Sequence, residues 1–186
     1  KANAIEISTV GLDDFVIENT TSKFIEIELF AENPNAQHII FSKKSNTASI
    51  QFKFDDLKQE KTVFRKFITK RLQRASAVIK IPKNKSVIIF GDNINIVSKS
   101  YNGNLDIYIE KGILKLNTIQ KNTNVKLYAG SIYATTKDIN IDMASNIGEI
   151  KVNQKIMQEQ FYKKNHGSFI NFTVKSIKAN IFLTTQ

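Results

Sequence analysis

The sequence contains no cysteine, and this absence removes several kinds of chemistry at once. A chain without thiols has no cysteine nucleophile, no disulfide bond and no cysteine-ligated zinc or iron–sulfur centre. Histidine is nearly as scarce, because His38 and His166 are the only two and lie far apart in the sequence. Motifs for nucleotide phosphates and for a serine nucleophile, such as Gly-x-Ser-x-Gly, are also missing. We therefore expect no catalytic residues, no cofactor and no metal centre.

Long apolar runs are missing as well. No stretch of about eighteen apolar residues occurs, so no segment is predicted to cross a bilayer as a helix. The chain starts at Lys1 without a methionine, which we interpret as the sequence left after removal of an export signal. We accordingly expect an exported protein, located in the periplasm, on the outer-membrane surface or outside the cell.

Residues that favour β-strands dominate the composition. Hydrophobic residues make up 41% of the 186 positions, and β-branched and aromatic residues alternate with polar ones over most of the chain. The alternation over 4–54 predicts a series of strands with one face inward and one outward. Near 56–74 the apolar residues instead stand at helical spacing, which predicts a short helix or an ordered arm. The chain is therefore predicted to be all-β and to form a single domain over 1–186.

A repeat of eighteen residues organises the chain over roughly 87–152. Gly112, Gly130 and Gly148 recur at this spacing, and the apolar residues between them fall into columns. Self-similarity at a fixed period is typical of stacked architectures, so we predict a parallel β-solenoid with two strands and two turns per coil. An antiparallel meander of nine-residue units is the alternative, but equivalent residues match poorly at nine. Two predicted core columns are Val87, Leu105, Thr123 and Ile141, and Ile89, Ile107, Val125 and Met143.

The predicted domain has four parts. Strands occupy 1–54, the basic arm and a lead-in strand 55–85, the solenoid coils 86–153, and an insertion with the C-terminal strands 154–186. The first and last parts are candidates for covering the open ends of the solenoid, because an exposed terminal strand invites aggregation.

Several short motifs occur in and beside the repeat. A strand ends at Pro82, a stretch Gly-Asp-Asn-Ile-Asn-Ile follows at 91–96, and units of the form Gly-x-Ile-x-Val or Gly-x-Ile-x-Ala stand at 130–134 and 148–152. Together they resemble the family of bacterial putative adhesins, over about residues 75–153. The resemblance implies an exported β-solenoid domain of unknown function, often found in proteins of the Bacteroidetes type. It carries over no catalytic or ligand-binding residues.

One outward column of the predicted coils is polar. Amide side chains stacked at the spacing of neighbouring strands, about 4.8 Å, exchange hydrogen bonds and also present a flat polar surface. We regard this row as a set of candidate ligand contacts, with a solvated polar ladder as the alternative. The row consists of Asn104, Asn122 and Asn140, and Asp106, Asn124 and Asp142 stand beside it.

The column of Asp106, Asn124 and Asp142 contains two carboxylates whose predicted separation is relevant to catalysis. Asp106 and Asp142 are predicted to lie two coils apart, about 9.5 Å, which would suit the two carboxylates of an inverting glycosidase. A solvated polar ladder explains the same residues. Weak calcium binding by this cluster is a further alternative, although the glycine-aspartate repeat of calcium-binding solenoids is absent.

The net charge of +10 is concentrated in one stretch. Nine basic residues and no acidic residue lie between Lys61 and Gly91. A basic amphipathic arm suits an anionic envelope surface or an acidic glycan, whereas nucleic acid is not expected because no base-stacking platform or reading helix is evident. The alternative is that the arm packs on the domain with its charges in solvent. The candidate contacts in this arm are Arg65, Lys66, Lys70 and Arg71.

These observations lead to one interpretation and two alternatives. We expect a non-enzymatic, exported or cell-surface domain with an adhesin-like binding or scaffold role and a glycan as its candidate ligand. The alternatives are a polysaccharide-active enzyme on the same scaffold and an envelope-anchoring module that uses the basic stretch 61–85. Exposed tyrosines would add contacts to the binding surface, and the candidates are Tyr101, Tyr108, Tyr128 and Tyr133.

Overall fold

The computed structural model describes residues 2–31, 38–53 and 75–186, and all regular structure within these ranges is β-strand. The prediction of an all-β chain is therefore confirmed for the described part. The helix or arm predicted near 56–74 lies outside the described residues and stays a prediction. The strands are β1 (Ala4–Ser8), β2 (Asp14–Thr20), β3 (Glu26–Phe30), β4 (Ile39–Lys44), β5 (Thr47–Phe52), β6 (Ser76–Pro82), β7 (Ser86–Asn93), β8 (Asn95–Ser98), β9 (Leu105–Thr118), β10 (Thr123–Thr136), β11 (Asn140–Ser145), β12 (Ile150–Val152), β13 (Lys155–Met157), β14 (Gln160–Lys163) and β15 (Asn171–Thr185).

These strands form one large, mostly parallel sheet that is folded into two rows. The long strands β9, β10 and β15 join the rows, because each contributes its first half to one row and its second half to the other. We call the outward surface of the first row the first face and that of the second row the second face. The first row runs β4-β5-β1-β7-β9-β10-β15-β11-β14, and the second runs β3-β6-β2-β8-β9-β10-β15-β12-β13.

Alternate residues of both rows point into one hydrophobic core. In β9, Ile107 of the first half and Leu114 of the second half are fully buried, whereas Asp106 and Lys115 face outward. A period of two is what a strand with one face on a core requires. Buried residues of the N-terminal strands belong to the same cluster as those of the repeat, so both parts share this core.

The predicted register of eighteen residues is confirmed over three strands and wrong at the fourth. Val87 pairs with Leu105, and Leu105 pairs with Thr123. Ile141 was expected next to Thr123, but Phe172 of the C-terminal strand lies between them and pairs with both. The core column on this row therefore continues through β15 before it reaches β11.

Strand length gives a physical reason for this insertion. The exposed edge of β10 offers backbone groups along fourteen residues, and β15 pairs with it from Thr123 to Thr136. The next coil in sequence would offer only the six residues of β11 and the three of β12, separated by a turn. Because a buried backbone N–H or C=O group without a partner is costly, the continuous strand is the better neighbour.

Antiparallel strands lie at both ends of the stack. At one end β4 pairs antiparallel with β5, and β3 pairs antiparallel with β6. At the other end β14 pairs antiparallel with β11, and β13 with β12. Short antiparallel edge strands limit pairing with other chains. The ends are thus occupied by β3 and β4 of the N-terminal part and by β13 and β14 of the C-terminal part. β15 of the C-terminal part, which was also a candidate for covering an end, instead lies inside the stack.

Two glycines allow the layers to approach closely where each long strand passes from the first row to the second. Gly112 and Gly130 have φ angles of +152° and +135°, in a region that side chains disfavour. A Cβ atom on Gly130 would overlap the carbonyl oxygen of Gly112, and one on Gly112 would overlap the carbonyl oxygen of Ile94. Glycine therefore recurs at this corner because the backbones of neighbouring layers lie too close together for a side chain.

The substitution Gly130→Ala is expected to lower the free energy of unfolding by about 2 kcal/mol or more, since the added methyl group meets backbone and the φ angle is unfavourable for alanine. Urea denaturation followed by circular dichroism measures this change. Gly167→Ala is the matched control, because an added Cβ there has only Asn165 Oδ1 nearby, at 3.6 Å. Similar unfolding midpoints for the two variants would contradict the close approach at Gly130.

Candidate functional site

The predicted asparagine row exists on the first face, but it contains a fourth member. Asn171 of β15 pairs with Asn140 and donates its backbone N–H to Asn122 Oδ1, with a distance of 2.9 Å. Asn122 and Asn140 are therefore not neighbours, as the eighteen-residue register had placed them. Sequence reasoning missed Asn171 because it lies outside the repeat. The one signal available was its local pattern, since Asn-Phe-Thr-Val at 171–174 resembles Asn-Thr-Asn-Val at 122–125.

The amide of Asn140 is occupied by the protein itself. Its Nδ2 atom donates to Ser168 O at 3.0 Å and to Asn171 Oδ1 at 3.2 Å, and its Oδ1 atom accepts from the backbone N–H of Asn165 at 2.8 Å. These bonds fix the segment that leads into β15. Asn104, by contrast, is exposed, and its side chain makes no hydrogen bond to another residue of the described ranges. At one end of the row the amide of Asn140 is used in hydrogen bonds within the protein, whereas at the other end the amide of Asn104 is exposed.

The two carboxylates that suggested a glycosidase are farther apart than predicted. Asp106 pairs with Asn124, Asn124 with Thr173, and Thr173 with Asp142. Three strand spacings separate Asp106 from Asp142, or about 14 Å, because β15 adds one layer. Two carboxylates of an inverting glycosidase are no more than about 9.5 Å apart. The spacing expected from the sequence was therefore wrong, and this pair has no catalytic geometry.

The described residues include only the C-terminal end of the basic stretch, from residue 75 onward. Arg65, Lys66, Lys70 and Arg71 lie outside the described residues, so their proposed contacts stay predictions. Within the described part, Lys80 Nζ pairs with Glu28 Oε1 at 2.6 Å, and Lys85 Nζ donates to Ala2 O at 2.7 Å. Both lysines hold strands of the domain together.

The four tyrosines divide into one structural and three surface residues. Tyr101 is 4% exposed, and its hydroxyl donates to Lys85 O at 3.0 Å, so it is not a surface contact. Burial raises the pKa of the Tyr101 hydroxyl above its usual value near 10 and keeps it neutral. Tyr128 and Tyr133 are exposed. Tyr108 stacks on Phe90, with ring centroids 5.6 Å apart.

A groove on the first face was not anticipated from the sequence. It has a volume of about 610 Å³ and runs across the strands, from Gly91 of β7 over β9, β10 and β15 to Ala144 of β11. Ile109 and Leu127, whose side chains are buried in the core, lie beneath it between the outward residues of β9 and β10. One wall consists of Tyr108, Lys126 and Lys175, and the other of Glu110, Tyr128, Ile177 and Asn146.

Lysine side chains accompany both aromatic residues of the groove. Lys126 Nζ lies 5.3 Å from the ring centroid of Tyr108, and Lys178 Nζ lies 5.6 Å from that of Tyr128. Lys126 and Lys175 are direct neighbours on β10 and β15. Neither forms an ion pair with a carboxylate of the described residues. We call the region lined by Tyr108, Lys126, Tyr128, Lys175 and Ile177 the basic groove.

Two smaller depressions lie beside the basic groove on the same face. One, of about 280 Å³, is lined by Asn104, Asn122 and Asn171 among others. The second, of about 250 Å³, is lined by Asn140, Asp142 and Tyr162 among others. No cluster of three or more metal-ligating side chains occurs within the described ranges. A membrane-spanning helix is likewise not found among the residues that the structure describes.

Asn140→Ala is expected to lower the free energy of unfolding by about 1–2 kcal/mol, because two hydrogen bonds to the segment before β15 and one to Asn171 of β15 are lost. Asn104→Ala is the matched control and should change it by no more than about 0.5 kcal/mol. Urea denaturation of both variants measures the difference. Equal losses would show that the amide of Asn140 has no special structural role.

Comparison with known proteins supports the fold and leaves the family open. No family model matches the chain, and no curated protein matches it. The chain is similar to a crystal structure described as a putative cell adhesion protein from Clostridium sporogenes, with a TM-score of 0.68 and 13% sequence identity. The likeness covers 100% of this chain and 94% of the other. The two chains therefore share a fold over nearly their whole lengths.

Proposed function

We propose that the chain is a non-enzymatic, adhesin-like binding domain that contacts an extended ligand with its first face. The observation that carries this proposal is the alignment of the basic groove and the two smaller depressions across consecutive strands of that face. Rows of side chains repeated at the strand spacing provide several weak contacts to one long ligand. Several such contacts on one ligand raise the apparent affinity far above that of each alone.

The finer description of the fold belongs to the same proposal. We propose a parallel β-solenoid in which each layer contributes one strand to each face. The register of eighteen residues from Val87 to Thr123 and the closely packed glycine corner support it. A solenoid provides a rigid, elongated surface, which suits a domain whose role is to bind or to act as a scaffold.

An exported or cell-surface location completes the proposal. It is supported by the likeness in fold to a structure described as a putative cell adhesion protein. A glycan is the candidate ligand, since cell-surface polymers are long and repetitive. Envelope anchoring through 61–85 stays an alternative, because most of that stretch lies outside the described residues.

A test of the proposal blocks one face at a time. Since the native chain contains no cysteine, a single introduced cysteine can be coupled to a polyethylene glycol chain. Asn104→Cys places this polymer on the first face, and Lys115→Cys places it on the second, both at exposed positions. Binding of the two conjugates to an array of bacterial and host polysaccharides is then compared with that of the unmodified protein.

The conjugate at position 104 is expected not to bind the polysaccharides that the unmodified protein binds. The conjugate at position 115 is expected to bind them as the unmodified protein does. Circular dichroism of both conjugates checks that the fold is intact. Equal binding by both conjugates, or binding to no polysaccharide, would contradict the proposed function.

A further inference from the structure

The basic groove has the shape of a site for a chain-like ligand. Residues of five neighbouring strands line it, so it extends over four strand spacings, or about 19 Å. It ends at Gly91 on one side and near Ala144 on the other. An open groove of this length accommodates several consecutive units of a polymer.

The charges of the groove select a negatively charged ligand. Lys126 and Lys175 stand directly opposite each other on neighbouring parallel strands, an arrangement that is unfavourable for like charges. Lys178 lies beside Tyr128 at the second wall, and Glu110 is the single acidic residue among the lining side chains. An anionic group seated between Lys126 and Lys175 would remove their repulsion and form charge-assisted hydrogen bonds with both.

The apolar part of the groove selects a ligand with C–H surfaces. Tyr128 is 53% exposed, and Ile177 beside it is 40% exposed. A sugar ring presents a face of C–H groups that packs on an aromatic ring, while its hydroxyl groups stay in solvent. Carboxylates at regular intervals on such rings would meet the ammonium groups of Lys126 and Lys175 on the opposite wall.

We propose that the basic groove binds uronic acid units of an acidic polysaccharide, with Lys126 and Lys175 binding carboxylates and Tyr128 packing on a sugar ring. This inference rests on the proposed function, because it names the ligand class of the same face. Nucleic acid is a poorer match, since the described residues include no arginine for bidentate phosphate contacts. Tyr108 is in addition covered by its contacts with Phe90 and Lys126.

Titration calorimetry with purified oligogalacturonate of about ten units tests the proposal. Cello-oligosaccharides of similar length serve as the neutral comparison. Lys126→Gln combined with Lys175→Gln should weaken oligogalacturonate binding about tenfold or more, because two charge-assisted contacts are lost. Tyr128→Ala should weaken it about fivefold, because the packing surface is lost. Raising the salt concentration should weaken binding to the wild type and hardly affect the double lysine variant.

The control variant makes the same change of charge elsewhere. Lys115→Gln combined with Lys155→Gln removes two exposed lysines away from the groove, and it should bind within about twofold of the wild type. Equal weakening by both double variants would overturn the site and point to general electrostatic attraction. Equal affinity for a single-stranded oligonucleotide or for anionic lipid vesicles would also overturn it.

These experiments distinguish a failure of the acidic-ligand proposal for the groove from a failure of the function proposed for the whole first face. In one outcome, the protein binds a neutral polysaccharide, the polymer at position 104 blocks this binding, and oligogalacturonate does not bind. This outcome would overturn the proposed acidic ligand and keep the proposed function. Loss of oligogalacturonate binding in the double lysine variant, together with unchanged binding after blocking at position 104, would keep the groove as a site but overturn the proposed contact along the whole first face.

Discussion

The pairing of β15 with β10 is the contact on which the rest of the structure depends. β10 presents a full-length open edge, and β15 satisfies it over both rows. β15 in turn provides the edge on which β11 and β12 pair, so it links the last coil of the repeat to the sheet. A buried serine secures this junction, because Ser145 Oγ of β11 donates to Ala179 O of β15 at 2.7 Å.

The same insertion builds the candidate binding surface. Lys175 stands next to Lys126, and Ile177 stands beside Tyr128, because β15 lies against β10. Asn171 enters the asparagine row for the same reason, and Asp142 is moved one layer farther from Asp106. One long-range strand pairing thus assembles the basic groove and also separates the carboxylates that would have suggested an enzyme.

Local patterns in the sequence were sufficient to predict the strands and part of their stacking. Alternation specified which residues of β9 and β10 are buried, and the glycine spacing located the corner at Gly112 and Gly130. The position of β15 could not be predicted in this way. Phe172 and Val174 alternate like many other residues, and nothing in the order of the chain indicates that they precede Ile141 in the stack. Because the groove needs side chains from β15, it was missed together with the pairing.

Introduced cysteines test the position of β15 most directly, since the native chain has none. Asn124 and Thr173 are partners on neighbouring strands, about 4.8 Å apart, which is within reach of a disulfide bond. Asn124 and Asp142 are separated by two strand spacings, about 9.6 Å, which is beyond that reach. Mild oxidation and mass spectrometry should therefore show a disulfide in the Asn124→Cys/Thr173→Cys variant and none within the Asn124→Cys/Asp142→Cys variant. The opposite result would place β11 directly beside β10 and contradict the inserted strand.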